Sequence, residues 1–278
     1  MNKTVISFVQ FTAFVVLGTV VLGSVVCVTD SSAACPNWPG CYEGKLTPEL
    51  NLHPMIEFIH RVFSVSCAPV IVVSAILLHK HADLRVRLLP WLALAGALGA
   101  GVFGMLTIKR GLSSFEAMLD LWCAFVALVA MMIVVALLSD NTTTGTRLLS
   151  ISTIIALFLL HGTGILVAGD GSFTRCMGWP LSCNTTSDEH LWLQIIRVLI
   201  AVAAIIGIVL MKSRLLFLLL GIEAVLGVLL LTLGLNDAIG SAFSATAAGI
   251  LAVVGYYWGL SLKATPNSTD APSVTNGP

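Results

Sequence analysis

Apolar runs of about twenty residues recur along the chain, separated by short polar breaks, and each is long enough to cross ~30 Å of hydrocarbon as a helix. Eight such runs predict membrane helices over roughly 5–28, 53–79, 88–108, 114–138, 147–168, 189–211, 214–234 and 238–262. The first run is longer than a secretory core and lacks a small-residue cleavage pattern, so it predicts a retained helix. An even number of spans places both ends of the chain on one side of a bilayer. Lys3, Lys80, Arg85, Arg87, Arg147, Lys212, Arg214 and Lys263 share that side, against Lys45, Lys109, Arg110 and Arg175 opposite. This bias predicts a multi-pass protein of the cell membrane with cytoplasmic termini and the two long cysteine-bearing loops outside. The stretch 264–278 is rich in Pro, Ser and Thr and predicts a disordered tail.

Composition agrees with the pattern. Of 278 residues, 57% are hydrophobic and only 10% charged, and the mean hydropathy is +0.98. A chain this poor in charge cannot cover a water-facing surface, which excludes a soluble enzyme and makes the lipid bilayer its surroundings. The net charge is zero, so the basic footprint of a nucleic-acid binder is missing and no nucleic-acid partner is expected.

The two long loops look like copies. One reads Cys35-Pro36-Asn37-Trp38-Pro39-Gly40-Cys41 and the other Cys176-Met177-Gly178-Trp179-Pro180-Leu181-Ser182-Cys183. Each follows an apolar helix and precedes one with an embedded arginine, Arg61 or Arg197, and each half closes with a Gly-Leu turn, Gly111-Leu112 or Gly234-Leu235. The simplest fold is an all-α integral membrane protein of two pseudo-symmetric four-helix bundles, about 1–140 and 147–262, with pockets inside or between them. The short loops bring paired sulfurs within reach, which predicts the disulfides Cys35–Cys41 and Cys176–Cys183, as staples or as redox-exchanging pairs. Cys27, Cys67 and Cys123 lie within apolar spans and read as packing residues.

Candidate chemistry concentrates in Glu57-Phe58-Ile59-His60-Arg61, because three ionisable groups in five membrane residues are costly unless they face a pocket. Helical spacing aligns His53, Glu57, His60, Ser64 and Cys67 on one stripe. A neutral His60 imidazole can ligate a metal such as haem iron; Glu57 can orient that ring or move protons, and Arg61 can pair with an anionic group such as a propionate. Asp120, flanked by Glu116 and Cys123, lies at a similar depth, as does His161. Glu223 is a further intramembrane charge without an evident partner. His190 with Asp188-Glu189, and His79-Lys80-His81, read as interfacial groups.

Taken together, the eight spans in two halves, Cys35-Pro36-Asn37-Trp38-Pro39-Gly40-Cys41 and the following Glu57-x-x-His60-Arg61 resemble the haem A synthase family over nearly the whole chain. The second-half match rests on Trp179-Pro180, the cysteine pair and Arg197. The resemblance implies an integral membrane oxidoreductase that oxidises the C8 methyl of haem O to the formyl of haem A for terminal oxidases. It implies Glu57 and His60 as catalytic residues and His60 as the iron ligand; Arg61 and Arg197, with Asp120 as a weak oxygen ligand or proton carrier and His161 as the one replacement ligand available in the second half, complete the expected cofactor-binding set. The family carries four membrane histidines, on the second, fourth, sixth and eighth helices. His60 matches the first, and by register Asp120, Ile196 and Phe243 stand at the other three. In the family the second-half pair holds a haem b cofactor, and Ile196 and Phe243 have no iron-ligating atom.

Three functional readings follow. The first is a divergent synthase acting on haem O, with the haem O-producing farnesyltransferase and a cytochrome oxidase subunit as expected neighbours. The second is a non-catalytic relative that binds or hands over haem during oxidase assembly. The third is a membrane thiol-disulfide oxidoreductase built on Cys35 and Cys41.

Overall fold

The computed structural model describes residues 2–142, 147–168, 176–180, 191–234 and 236–263. The stretch 264–278, Cys183, Asp188, Glu189, His190 and Leu235 lie outside the described residues. Among the described residues, eight helices are long and apolar enough to cross a membrane: α1 (Lys3–Val28), α2 (Leu52–Leu78), α3 (Leu84–Arg110), α4 (Ser114–Leu138), α5 (Arg147–Val167), α6 (Leu191–Leu210), α7 (Arg214–Leu233) and α8 (Asp237–Ser261). A 3-10 turn, Ser31–Ala33, opens the first long loop.

Helix ends are set by local chemistry. The start of α3 comes four residues before the expected 88, because Arg85 and Arg87 read as a polar break while Asp83 caps the helix, accepting from the Arg85 backbone N–H at 2.8 Å. Hydrogen bonds from Arg85 hold the Asp83 carboxyl below its usual range. The turn into α4 carries a capping box between Ser113 and Glu116, and Arg110 pairs with Glu116 at 2.5 Å. Both Gly-Leu turns use the same device: Gly111 at φ 72° ends α3 and Gly234 at φ 82° ends α7, backbone conformations that disfavour a side chain. Ser113 and Asn236 then cap the helices that follow.

Within the first half α1 packs on α2 and α4, and α3 on α2 and α4; in the second, α5 packs on α6 and α8, and α7 on α8. Helices α4 and α8 meet at the centre, with α1 against α8 and α5 against α4. Small residues permit the close approaches. A Cβ at Gly96 would fall 2.6 Å from the Cys123 carbonyl oxygen on α4, and one at Gly162 would fall 2.5 Å from Trp122 Nε1, the indole that donates to the Phe158 carbonyl at 2.9 Å. The core runs through Phe125, Leu128, Met131, Leu157, Phe243 and Leu251. Leucines and valines on α6 and α7, such as Leu199, Leu218 and Val225, point outward, as lipid-facing positions must.

Candidate functional site

The segment that joins α1 to α2 is drawn down onto the bundle by one residue. Arg61 Nε donates to Glu57 Oε1 at 2.7 Å, one Nη1 contacts the carbonyls of Asn37 (2.5 Å) and Gly40 (2.9 Å), and Nη2 donates to the Cys35 carbonyl at 2.7 Å. These four bonds occupy most of the five guanidinium N–H donors. Glu57 is only 5% exposed. A buried ion pair tolerates its desolvation only when its remaining hydrogen-bonding groups are satisfied, and the loop carbonyls satisfy them here. The loop is closed by Cys35–Cys41, as expected, and both cysteines are buried. Thiol–disulfide exchange needs an attacking thiolate to reach a sulfur, so this burial fits a staple rather than an exchanging pair.

His60 sits next to Arg61 in sequence but turns toward α1. Its imidazole rests against Gly23, and its buried Nδ1 has no hydrogen-bond partner among the described residues. Glu57 is engaged by Arg61 and makes no hydrogen bond to the ring, which leaves the other role considered for it, moving protons. Polar contacts extend along the α1–α2 seam on either side of His60: His53 Nδ1 with Ser31 Oγ (2.9 Å), Cys67 Sγ with Thr19 Oγ1 (3.1 Å), and Ser74 Oγ with Thr12 Oγ1 (2.9 Å). Cys67 is therefore part of a polar seam rather than an inert filler.

Asp120 lies on α4, diagonal to α2 in the helix packing, so the structure does not bring it against His60. It shares a face with Cys123 and makes no ion pair or side-chain hydrogen bond among the described residues. No cluster of three or more His, Cys, Asp or Glu side chains able to hold a metal ion occurs among the described residues.

The second loop is held differently from the expectation. Cys176 bonds to Cys27 of α1, a link across a sequence separation of 149, and not to Cys183. Cys27 is thus a cross-link and not a packing residue. The pairing follows from where the segment lies: Ser244 of α8 donates to the Cys176 carbonyl, Ser24 of α1 donates to Met177 Sδ at 3.2 Å, and Arg197 Nη2 donates to the Gly178 carbonyl at 3.0 Å. These anchors seat Cys176 between α1 and α8, beside the end of α1 that carries Cys27. Arg197, 0% exposed, also donates to the Leu160 carbonyl (3.2 Å) and to Gln194 Oε1 (2.9 Å). Next to it His161, also 0% exposed, lies edge-on to Phe125 (5.9 Å between centroids) and Trp179 (6.1 Å), with neither ring nitrogen hydrogen-bonded among the described residues. Ile196 is 40% exposed and Phe243 2%, so the two positions are not alike in their surroundings. Glu223 is buried on α7 with both carboxyl oxygens unpartnered among the described residues.

Sequence reasoning missed Gly23, Ser24, Ser244 and Trp122, whose roles arise from helix contacts; none carries a local signal of its own.

These features define an all-α membrane protein with eight spans among the described residues and an arginine-clamped disulfide loop over a half-buried histidine. No protein-family model matches the chain. Among curated proteins it is 22% identical over 212 residues to the "Heme A synthase" of Exiguobacterium sibiricum, covering 72% of this chain and 71% of that one. It is 28% identical over 200 residues to the "Heme A synthase" of an Exiguobacterium sp., covering 66% of this chain and 63% of that one. The similarities support a divergent haem A synthase-like protein and a role connected with haem A biosynthesis.

Proposed function

We propose that this chain is a membrane oxidoreductase of the haem A synthase type, which oxidises the C8 methyl of haem O to the formyl of haem A during cytochrome oxidase biogenesis. The observation that carries the reading is His60: a half-buried imidazole on a transmembrane helix, whose buried Nδ1 has no partner among the described residues, under a loop held by Glu57, Arg61 and Cys35–Cys41. These residues fit a porphyrin iron, which needs one unprotonated ring nitrogen from the protein. Bound haem supplies redox chemistry at its iron. The chain's own contribution is positional. His60 holds the substrate by its imidazole, the Arg61 clamp and the disulfide keep the loop closed over α2 and exclude water, and Asp120 on α4 is the candidate proton carrier of the same bundle. The clamp leaves Arg61 at most one free N–H for a propionate.

The second half does not fit a bis-histidine haem b. Ile196 and Phe243 are hydrocarbon, and the His161 imidazole is enclosed by Phe125 and Trp179; no step is assigned to that half. This mismatch favours, as the second reading, a relative that binds and hands over haem without oxidising it. In either case haem O, the farnesyltransferase that makes it and the oxidase subunit that receives haem A are the proposed neighbours. The proposed orientation has cytoplasmic termini and external cysteine loops. The proposed organisation is a substrate-haem half, 1–140, and a degenerate cofactor-like half, 147–262.

Substitution separates the readings. His60→Ala is expected to abolish haem A formation in cells that make haem O, and Glu57→Gln to reduce it. Wild-type haem A output from His60→Ala would end the synthase reading. Loss of oxidase maturation with haem A levels unchanged would select the handling role.

A further inference from the structure

The segment that runs from the first loop into α2 alternates in character. Leu46, Pro48, Leu50 and Leu52 occupy every second position, with Lys45, Thr47, Glu49 and Asn51 between them. In an extended chain such alternation puts the two sets on opposite edges. The Asn51 side chain donates to Glu49 Oε2 at 3.3 Å, which places these two residues on one edge, and the Asn51 backbone is extended at φ −113° and ψ 153°. The other edge is bare. Leu46 and Leu52 are each 70% exposed, and Leu50 is 93% exposed.

The depth of the segment says what covers that edge. The 27 residues of α2 rise about 40 Å, and a bilayer with its headgroup layers is about 40–45 Å thick. The first turn of α2 therefore lies among headgroups. The loop does not stand above that level. Arg61 follows Leu52 by nine residues, a rise of ~13 Å that exceeds the reach of an arginine side chain, yet its guanidinium takes the Gly40 carbonyl at 2.9 Å. A Cβ at Gly40 would in turn fall 3.3 Å from both Leu46 Cα and Leu46 Cδ2. Leu46 is thus beside the headgroup layer and not over it. At the far end of the segment, Leu52 leads into Ile59 and Val62, exposed residues of the lipid-facing side of α2.

We propose that residues 46–52 form an interfacial strap, in which Leu46, Leu50 and Leu52 insert into the boundary between headgroups and acyl chains while Lys45, Glu49 and Asn51 face headgroups and water. Trp38, exposed in the same loop, is of the residue type that favours this layer. The loop is then held from two sides, by Arg61 beneath it and by lipid along its flank. The strap depends neither on the haem reading nor on which side of the membrane the loops face.

The test uses the full chain in phospholipid nanodiscs, with Leu46→Cys, Thr47→Cys, Glu49→Cys and Leu50→Cys made one at a time and labelled with an environment-sensitive fluorophore. Label taken up by the unmodified chain is subtracted. All four positions are exposed, so a label there displaces no packed side chain. The strap predicts blue-shifted emission at 46 and 50, quenched several-fold more by lipids spin-labelled near the headgroup than emission at 47 and 49, and several-fold less by aqueous iodide. Equal iodide quenching at all four positions overturns the proposal, because the leucine edge then faces water. Shielding of 46 and 50 from both quenchers also overturns it, because protein, such as a second copy of the chain, then covers the edge.

Discussion

The two halves of this protein anchor matching loops with matching arginines, and they do so with opposite electrostatics. Arg61 pairs with the Glu57 carboxylate and three loop carbonyls; Arg197 is satisfied by two carbonyls and the neutral Gln194 side chain. The correspondence reaches single backbone atoms. Asn37 and Gly178 each stand two residues after the first loop cysteine, and each gives its carbonyl to the arginine of its half. Thr19 and Leu160 stand sixteen residues before that cysteine. In the first half the Thr19 side chain meets Cys67 Sγ, and in the second the Leu160 carbonyl accepts from Arg197. The same sequence position thus tightens the α1–α2 seam in one half and satisfies the arginine clamp in the other. The contrast supports the proposal that the chemistry lies in the first half, beside His60.

Breaking the first clamp is expected to have the largest effect. Arg61→Ala strands a buried carboxylate and three loop carbonyls, and should cost about 3–5 kcal/mol in unfolding measured in detergent. Removing the cross-link comes next: Cys27→Ser should cost about 2–4 kcal/mol. Peptide mapping without reductant should recover Cys27 joined to Cys176, and a Cys176–Cys183 peptide would reject that pairing. Arg197→Met should cost less than Arg61→Ala, about 1–3 kcal/mol, because it removes hydrogen bonds without stranding a carboxylate among the described residues. Equal losses for the two arginines would erase the contrast between the halves. The smallest effect belongs to the threonines that stand twenty-three residues before each loop cysteine. Thr12 bonds across to Ser74, whereas Thr153 faces the Gly207 backbone and, among the described residues, bonds within its own helix. Thr12→Val should therefore cost about 0.6–2 kcal/mol, and Thr153→Val less than that.

Much of the fold is written in the sequence because a bilayer leaves helices few alternatives. Uninterrupted apolar runs gave all eight spans, with the α3 start displaced by an aspartate cap that hydropathy cannot see. The loop motif likewise announced Cys35–Cys41, whose partners are six residues apart. Cys27–Cys176 was not legible, since choosing between a near and a distant partner depends on where α1 and α8 hold the second loop. The arginines were visible as embedded charges, but their use as carbonyl clamps was not, because a guanidinium suits a propionate and a backbone carbonyl equally well. His60 stood out by residue type alone. Its close contact with Gly23 did not, because a glycine in an apolar helix has no distinguishing pattern until the neighbouring helix is in place.

The most direct test is the porphyrin that the protein carries. Purified in mild detergent from cells that make haem O, with bound porphyrin extracted and identified by chromatography and mass, the wild-type chain is predicted to yield haem A or its hydroxylated intermediate, and His60→Ala none. Haem O or haem b alone would contradict oxidation by this chain, and no porphyrin at all would contradict a haem site at His60.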